Sequence, residues 1–381
     1  MVRLVTLKCL FCCFIATWHR ESGKCQIKRA ELTRVTVSLS RRSFIHSSIL
    51  STATALLAVS CNRPQANLTS ASHQSGQPIR LGLSLWPGAI PWQIAEDKGF
   101  LKASGVNAEI TWFQTLADQL NAFTAGKIDI ANLTLTDLFM SNVNNVPCKV
   151  ISLPDVSAGA DAIIADPSIN SVQDFVGKSA GIEIATIGHL LFLQALAKNG
   201  VAPKSVQTVN MAADAATSAL VAGKVPIAYS YEPFITQATK SGKGKVIFSS
   251  ADVPGLIADM IIAQQKLLDT RATEVQKLVD VWHQVLDFRK TNTDEAIAIE
   301  AKRAGVSAEE QRALLEKIDW LTPQETLEAF KPGNTTKSLV YAGKVVADFM
   351  LEQKLIATRP PATETLIDDR FLKDYVSRNR A

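Results

Sequence analysis

Two hydrophobic periods take turns along the chain from residue 79. Residues 79–85 (IRLGLSL) carry a strand pattern; a helix opens at Pro91 and stops near Gly99; residues 107–113 alternate again. Residues 116–125 keep helical spacing up to Gly126, and residues 128–133 form a further strand. A second round follows, with strands predicted over 179–185, 205–211 and 226–231 and helices over 190–198 and 212–222. Strands and helices in this succession predict an α/β fold of two similar lobes, each a doubly wound, mostly parallel sheet. From Glu274 the period is helical: VQKLVDVWHQVLDF, DEAIAIEAKRAG, AEEQRALLEKI and SLVYAGKVVADFMLEQ each place apolar residues every three or four positions, as helices packed on one lobe do. Pro360 and Pro361 break the pattern before a polar tail.

One segment is written twice. ADQLNAFTAGKIDIANLTLTD (117–137) and ADAATSALVAGKVPIAYSYEP (213–233) each run from a helix through Ala-Gly-Lys into a short strand. Gly126 and Gly223 stand where a left-handed backbone conformation ends a helix. Polar residues follow each strand: Thr134, Thr136 and Asp137 in the first copy, Tyr229, Tyr231 and Glu232 in the second. Open α/β sheets bind ligands beyond the carboxyl ends of their strands, so two lobes face to face would enclose a ligand between these edges. The competing reading is that such turns are ordinary α/β punctuation and the echo is chance.

Composition narrows the choice of function. A chain of 381 residues, 47% apolar and 20% charged, suits two lobes plus a removable leader. No apolar run reaches the roughly 20 residues of a membrane-spanning helix. The net charge of +4 comes from the first 60 residues, which hold nine Lys or Arg against two acids; the remainder carries 31 basic and 34 acidic residues. A slightly acidic body argues against nucleic acid as a partner. Cys9, Cys12, Cys13, Cys25 and Cys61 all lie at or before residue 61, leaving Cys148 alone in the body, so neither a disulfide framework nor a metal site is expected there.

Residues 1–60 read as an export leader. In SLSRRSFIHSSILSTATALLAVSCN, Arg41 and Arg42 form the charged region, residues 47–59 a short apolar region, and small residues precede Cys61. SRRSFI resembles the twin-arginine export motif; LLAVSC resembles a bacterial lipobox, in which Cys61 takes the lipid and becomes the first mature residue, although Ala58 departs from the leucine preferred there. The alternatives are an ordinary charged leader and simple cleavage. Residues 1–36 match neither motif, and the expectation is a start codon assigned too early, with Val35 or Val37 as the true first residue; the rival is a real extension with its own apolar patch at 9–18. Residues 61–77 have the Ser, Asn, Gln and Pro content of a flexible tether.

The ordered set WPGAIPWQIAEDKGFLKASGVNAEI, ADQLNAFTAGKIDIANLTLTD, SVQDFVGKSAGIEIATIGHLLFLQALAKNGV, AYSYEPF and VPGLIADMIIA resembles the SsuA/TauA/NMT1-like family of periplasmic substrate-binding proteins of ABC transporters, over residues 79 to about 357. The resemblance implies a two-lobed periplasmic-binding-protein fold (type II) with a two-strand hinge and the ligand in the inter-lobe cleft. It places the crossings near 155–161 and 249–258, lobe one at 78–158 plus 255–357, lobe two at 159–254, and a C-terminal tail at 358–381. It further implies an extracytoplasmic monomer, in the periplasm or lipid-anchored at the outer face of the cytoplasmic membrane, that delivers a small polar ligand of the sulfonate, taurine or nitrate type to an ABC transporter permease. Three other readings stay open: a thiamine-precursor pyrimidine or amine as ligand, an exported sensor domain, and a THI5-like pyrimidine synthase. The last would need a cysteine-rich motif that the body lacks, and no Ser-His-Asp set, P-loop or HExxH is present, so a non-enzyme without a cofactor is expected.

Helix starts offer an anion free backbone N–H groups and the positive end of a dipole. Three fit: Gln114 and Thr115 before one helix, Thr134 and Thr136 before a second, Thr186 and Gly188 before a third. The resemblance implies that loops at these places hold ligand oxygens; the plainer reading makes Thr115, Thr136 and Thr186 N-caps. Trp86 stands where the family places an aromatic wall, whereas Trp92 reads as core. Glu232 occupies the family's Trp-Glu-Pro position with Tyr231 in place of the Trp. Asp137, Asp161, Glu232 and Asp259 would together favour a cationic or amine-bearing ligand, because buried carboxylates demand partners. His189 reads as a cap or surface residue rather than a base. The expected ligand set is Trp86, Gln114, Thr134, Thr136, Asp137, Thr186, Gly188, Tyr231, Glu232 and Asp259.

Overall fold

The computed structural model describes residues 76–379; the expectations for the leader, for Arg41, Arg42 and Cys61, and for nearly all of the tether lie outside the described residues. β1 (Ile79–Ser84), β2 (Ala108–Phe113), β3 (Ile130–Leu133) and β4 (Cys148–Ser157) begin one sheet. The chain then crosses to a second, built from β5 (Asp161–Ala165), β6 (Ser179–Ile182), β7 (Gln207–Asn210), β8 (Ile227–Tyr231) and β9 (Lys245–Ser249). β10 (Ala258–Gln264) and β11 (Ile318–Trp320) return to the first. The spatial orders are β11-β4-β10-β3-β1-β2 and β7-β6-β8-β5-β9.

Read from one side, β2-β1-β3-β10-β4 and β7-β6-β8-β5-β9 are the same arrangement. In each, three strands are parallel and the next two run antiparallel to their neighbours. The expectation of mostly parallel sheets is therefore corrected to mixed ones. The βαβ units are parallel because a helical crossover returns the chain to the same end. The fourth strand of each sheet has just arrived from the other lobe and enters in the opposite direction. The repeated segment falls on β3 and β8, which hold equivalent places, and follows the helices Leu116–Thr124 and Ala213–Val221. Gly126 and Gly223, at φ 68° and 69°, end those helices in the left-handed region.

Both sheets are covered on both faces. In β5 every residue is buried; Ile163 and Ala165 join the large apolar cluster on one side, and Ala162 and Ile164 pack with Ala216, Leu220 and Ile235 on the other. Trp92 lies in the core of the first lobe, stacked on Trp282 with ring centres 5.2 Å apart. Residues 358–379, expected as a polar C-terminal tail, pack against the first lobe. Ile367 bridges to Val150, and the helix Arg370–Arg378 buries Phe371 and Leu372 against the first lobe. The segment's mean polarity hid one apolar stripe among its charges.

The two crossings, between Ser157 and Asp161 and between Ser249 and Ala258, are tied together by side chains. Ser157 Oγ and Ser250 Oγ share a hydrogen bond of 2.7 Å, the Gly159 amide donates to Ser250 Oγ at 2.7 Å, and the Asp161 amide donates to Ser157 Oγ at 3.1 Å.

Candidate functional site

The carboxyl ends of β1, β3, β6 and β8 converge on one seam between the lobes. On the first-lobe side a chain of amides orders it. Gln119, on the helix Leu116–Thr124, donates through Nε2 to Gly82 O and to Asn132 Oδ1, each at 2.8 Å. That fixes the Asn132 amide, whose Nδ2 then faces Ser84 Oγ and Asp259 Oδ2, both at 3.3 Å. Asp259 on β10 lies directly across from Asp155 on β4 in the strand register. Like charges so placed repel. Trp86 donates from Nε1 to Asp155 Oδ1 at 3.0 Å. On the second-lobe side the Tyr229 hydroxyl donates to Asp161 Oδ1 at 2.6 Å, and Gly188 sits against the Tyr229 ring.

These carboxyls are forced toward their neutral forms. Burial pushes Asp155 up to about 7, with the Asp161 charge adding and the Trp86 donor opposing. Asp161 is pushed up to about 6, again by burial, with the Tyr229 hydrogen bond opposing and Glu232 adding. Asp259 is held well above the usual carboxylate range by burial and by Asp155. Asp137 and Glu183 are raised by burial as well.

The structure distributes the expected ligand residues unequally. Trp86, Thr134, Thr136, Gly188, Tyr231, Glu232 and Asp259 are buried at or beside the seam. Tyr231 packs edge-on to Phe234, with ring centres 5.3 Å apart. Gln114 is exposed and lies outside the buried network. Two of the three helix starts are already capped. Thr115 accepts from the Asp118 amide and donates to the Asp118 carboxylate. Thr134, rather than Thr136, caps the helix Leu135–Val143, with its amide and hydroxyl both on Asp137 Oδ2 at 3.0 and 2.8 Å. A carboxylate thus already fills the place where an anion was expected.

The third start, of the helix Ile187–Lys198, has no side-chain cap and no acid in its first turn; Thr186 instead donates to Glu183 O at 2.7 Å. Ala185, just before it, is held at φ 76°, a conformation few alanines adopt. Glu232 is already engaged, with the Thr236 amide at 3.0 Å and with Lys317 as an ion pair between the lobes. A second ion pair, Lys240 with Glu310, also links them. His189 is buried rather than exposed, edge-on to Phe349 of the first lobe with ring centres 5.5 Å apart. Burial lowers its pKa.

Asp155, Gln119, Asn132 and Tyr229 were absent from the expected ligand set. A polar residue inside an otherwise apolar strand, as in IANL and CKVISLPDVS, was the available signal. A separate cavity of about 810 Å³ lies elsewhere, bordered by Val156, Pro254, Ala258, Trp320 and Lys337.

Two mixed α/β sheets exchanging strands through a pair of crossings, with polar strand ends facing one seam, define the periplasmic-binding-protein fold. The chain belongs to the family described as NMT1/THI5 like, which matches residues 86–296. It is 26% identical over 168 residues to the taurine-binding periplasmic protein of Escherichia coli (strain K12); that alignment covers 44% of this chain and about half, 52%, of the relative. Among solved structures it is similar to the alkanesulfonate-binding protein SsuA of Xanthomonas axonopodis pv. citri bound to MOPS (16% identity, TM-score 0.63, 77% of this chain and 98% of that one). The desulfurization enzyme DSZB shares the fold as well, at 15% identity and TM-score 0.59, over 79% of this chain and 99% of that one.

Proposed function

We propose that this protein is an exported solute receptor of an ABC importer, which closes its two lobes on a small polar ligand of the sulfonate or taurine type and presents the closed form to a membrane permease. The observation that carries the reading is the seam itself: two topologically equivalent sheets aim their strand ends at each other, and only two crossings connect them. Such a pair of lobes rotates about its crossings, and a ligand that touches both stabilises the closed state by the contacts it makes only there. The names of the relatives, taurine-binding and alkanesulfonate-binding, point to the same ligand class. The uncapped start of the helix Ile187–Lys198, with Thr186 and Gly188, is the place for a sulfonate. Export through the Arg41–Arg42 leader and a lipid on Cys61 would hold the receptor at the outer face of the membrane.

Binding is favoured over turnover. The free cysteine among the described residues, Cys148, is buried, and burial pushes its thiol up to about 12, far from the thiolate a nucleophile requires.

A thermal-shift panel of taurine, alkanesulfonates, nitrate and bicarbonate on the purified protein tests the reading, since a ligand of the folded state raises the melting temperature by mass action. Taurine or an alkanesulfonate is expected to raise it in a concentration-dependent way. A panel in which no sulfonate does so refutes the ligand class.

A further inference from the structure

We propose that the seam holds a subsite for a hydrogen-bond-donating cationic group, an ammonium or amidine, formed by Asp155, Asp161 and Gln119. This rests on the reading of the seam as a solute site and specifies the chemistry of one end of the ligand. The side-chain N–H donors of the network and the Tyr229 hydroxyl all have acceptors. Trp86 Nε1 is on Asp155 Oδ1, the Tyr229 hydroxyl on Asp161 Oδ1, Gln119 Nε2 on Gly82 and Asn132, and Asn132 Nδ2 on Ser84 and Asp259. Three acceptors are left over: Asp155 Oδ2, Asp161 Oδ2 and Gln119 Oε1, all without a partner. Asp155 and Gln119 have no solvent exposure and Asp161 has 3%.

Buried acceptors of this kind are rare and unfavourable unless something else satisfies them. Gln119 makes the case independently of the acids. It is neutral, and its two well-made Nε2 hydrogen bonds fix which end of the amide is oxygen, so its unpaired atom is an acceptor whatever the protonation of the acids. It connects to the acids through Asn132 and Asp259. An oxyanion placed here would add one more acceptor beside atoms that already lack donors. A primary ammonium, with three N–H groups and a positive charge, is the chemistry such acceptors take. Burial raises the proton affinity of Asp155 and Asp161 despite the Arg289 charge beside the first and the Tyr229 and Ser157 hydroxyls beside the second, so an added cation would favour their ionised forms. A ligand with an ammonium at one end and a sulfonate at the other would place the first at this subsite and the second at the start of the helix Ile187–Lys198.

The test is calorimetric titration of the purified protein with taurine, with isethionate, which keeps the sulfonate and replaces the ammonium by a hydroxyl, with nitrate, and with propylamine and benzamidine, which lack the sulfonate. Taurine is expected to bind at least tenfold more tightly than isethionate, a comparison that needs no variant. In D155N and D161N, which put a donor where an acceptor stood, taurine is expected to weaken tenfold or more and isethionate less than threefold. Equal affinities for taurine and isethionate, or equal weakening of both in the variants, overturn the subsite and leave the solute-receptor reading standing. Binding of the amines with no response to any sulfonate supports the subsite and removes the sulfonate class instead. Silence across the whole panel overturns both.

Discussion

The facing pair Asp155 and Asp259 gives this protein a pH dependence of unusual sign near neutrality. Both carboxyls are raised in the folded state, so the folded protein keeps protons that the unfolded chain has already released. The stability this contributes is complete below the unfolded carboxyl value near 4 and is lost as pH climbs through the folded value, which for Asp155 is about 7. Other groups work against it at lower pH. His283 is pushed down to about 4 and His189 is lowered, both by burial, so each adds stability as pH rises. The unfolded imidazole is only half titrated at its value near 6.5, and the gain finishes about one pH unit above it, so each imidazole still adds up to about 0.4 kcal/mol beyond pH 6.5. Acids held low, such as Glu310 at about 2, have finished before pH 6.

Between pH 6.5 and 8 the carboxyl pair opposes this residual gain, and comparison with D155N isolates the Asp155 share. Integrating the linkage slope for a group titrating at about 7 gives a loss of about 1 kcal/mol over that interval from Asp155 alone. Asp259 adds in the same direction. At a slope of about 3 kcal/mol per molar urea, Asp155 lowers the wild-type midpoint by about 0.3 M relative to D155N over that interval. Urea titrations at pH 6.5, 7.25 and 8 measure it. D155N, which resembles the neutral form at every pH, is expected to lack the Asp155 component while keeping those of Asp259 and the histidines. A wild-type midpoint that does not fall relative to D155N between pH 6.5 and 8 would refute the reasoning.

Three further outcomes follow from the geometry. A Cβ at position 188 would lie 2.2 Å from the Tyr229 ring, so G188A is expected to displace the ring from Asp161 and lose about 1–3 kcal/mol in chemical unfolding, despite alanine's better helix propensity. S250A removes the acceptor of the Gly159 amide and the partner of Ser157; a loss of about 1–3 kcal/mol is expected, with faster hydrogen exchange at Gly159 as the local readout. K317A leaves the buried Glu232 with only its amide donor and is expected to cost about 1–3 kcal/mol, discounted for the partial exposure of Lys317; K240A breaks a more exposed pair and should cost under about 1 kcal/mol. Small-angle scattering should then report a more open average for K317A than for K240A.

Periodicity and turn chemistry carry information within a few residues, and at that range the chain was legible. The alternation of strand and helix, the two Ala-Gly-Lys copies and their left-handed glycines, the core position of Trp92 and the amphipathic helices after Glu274 all follow from local rules of hydrophobic spacing and backbone conformation. The direction in which strands enter a sheet is not local. Nothing in DAIIA or ADMIIAQ says that β5 and β10 arrive from the opposite lobe, and so the mixed sheets became visible only in the assembled fold. The same holds for the site. A threonine before a helix can cap it, leave it open or turn away, and Thr115, Thr134 and Thr186 differ because Asp118 and Asp137 are in reach of two of them and no acid follows the third in its first turn. Asp155 and Asp259 are more than a hundred residues apart in sequence, yet the β4–β10 register sets them face to face. Their burial, their mutual repulsion and the missing donors around them are properties of that encounter, which only the tertiary structure could decide.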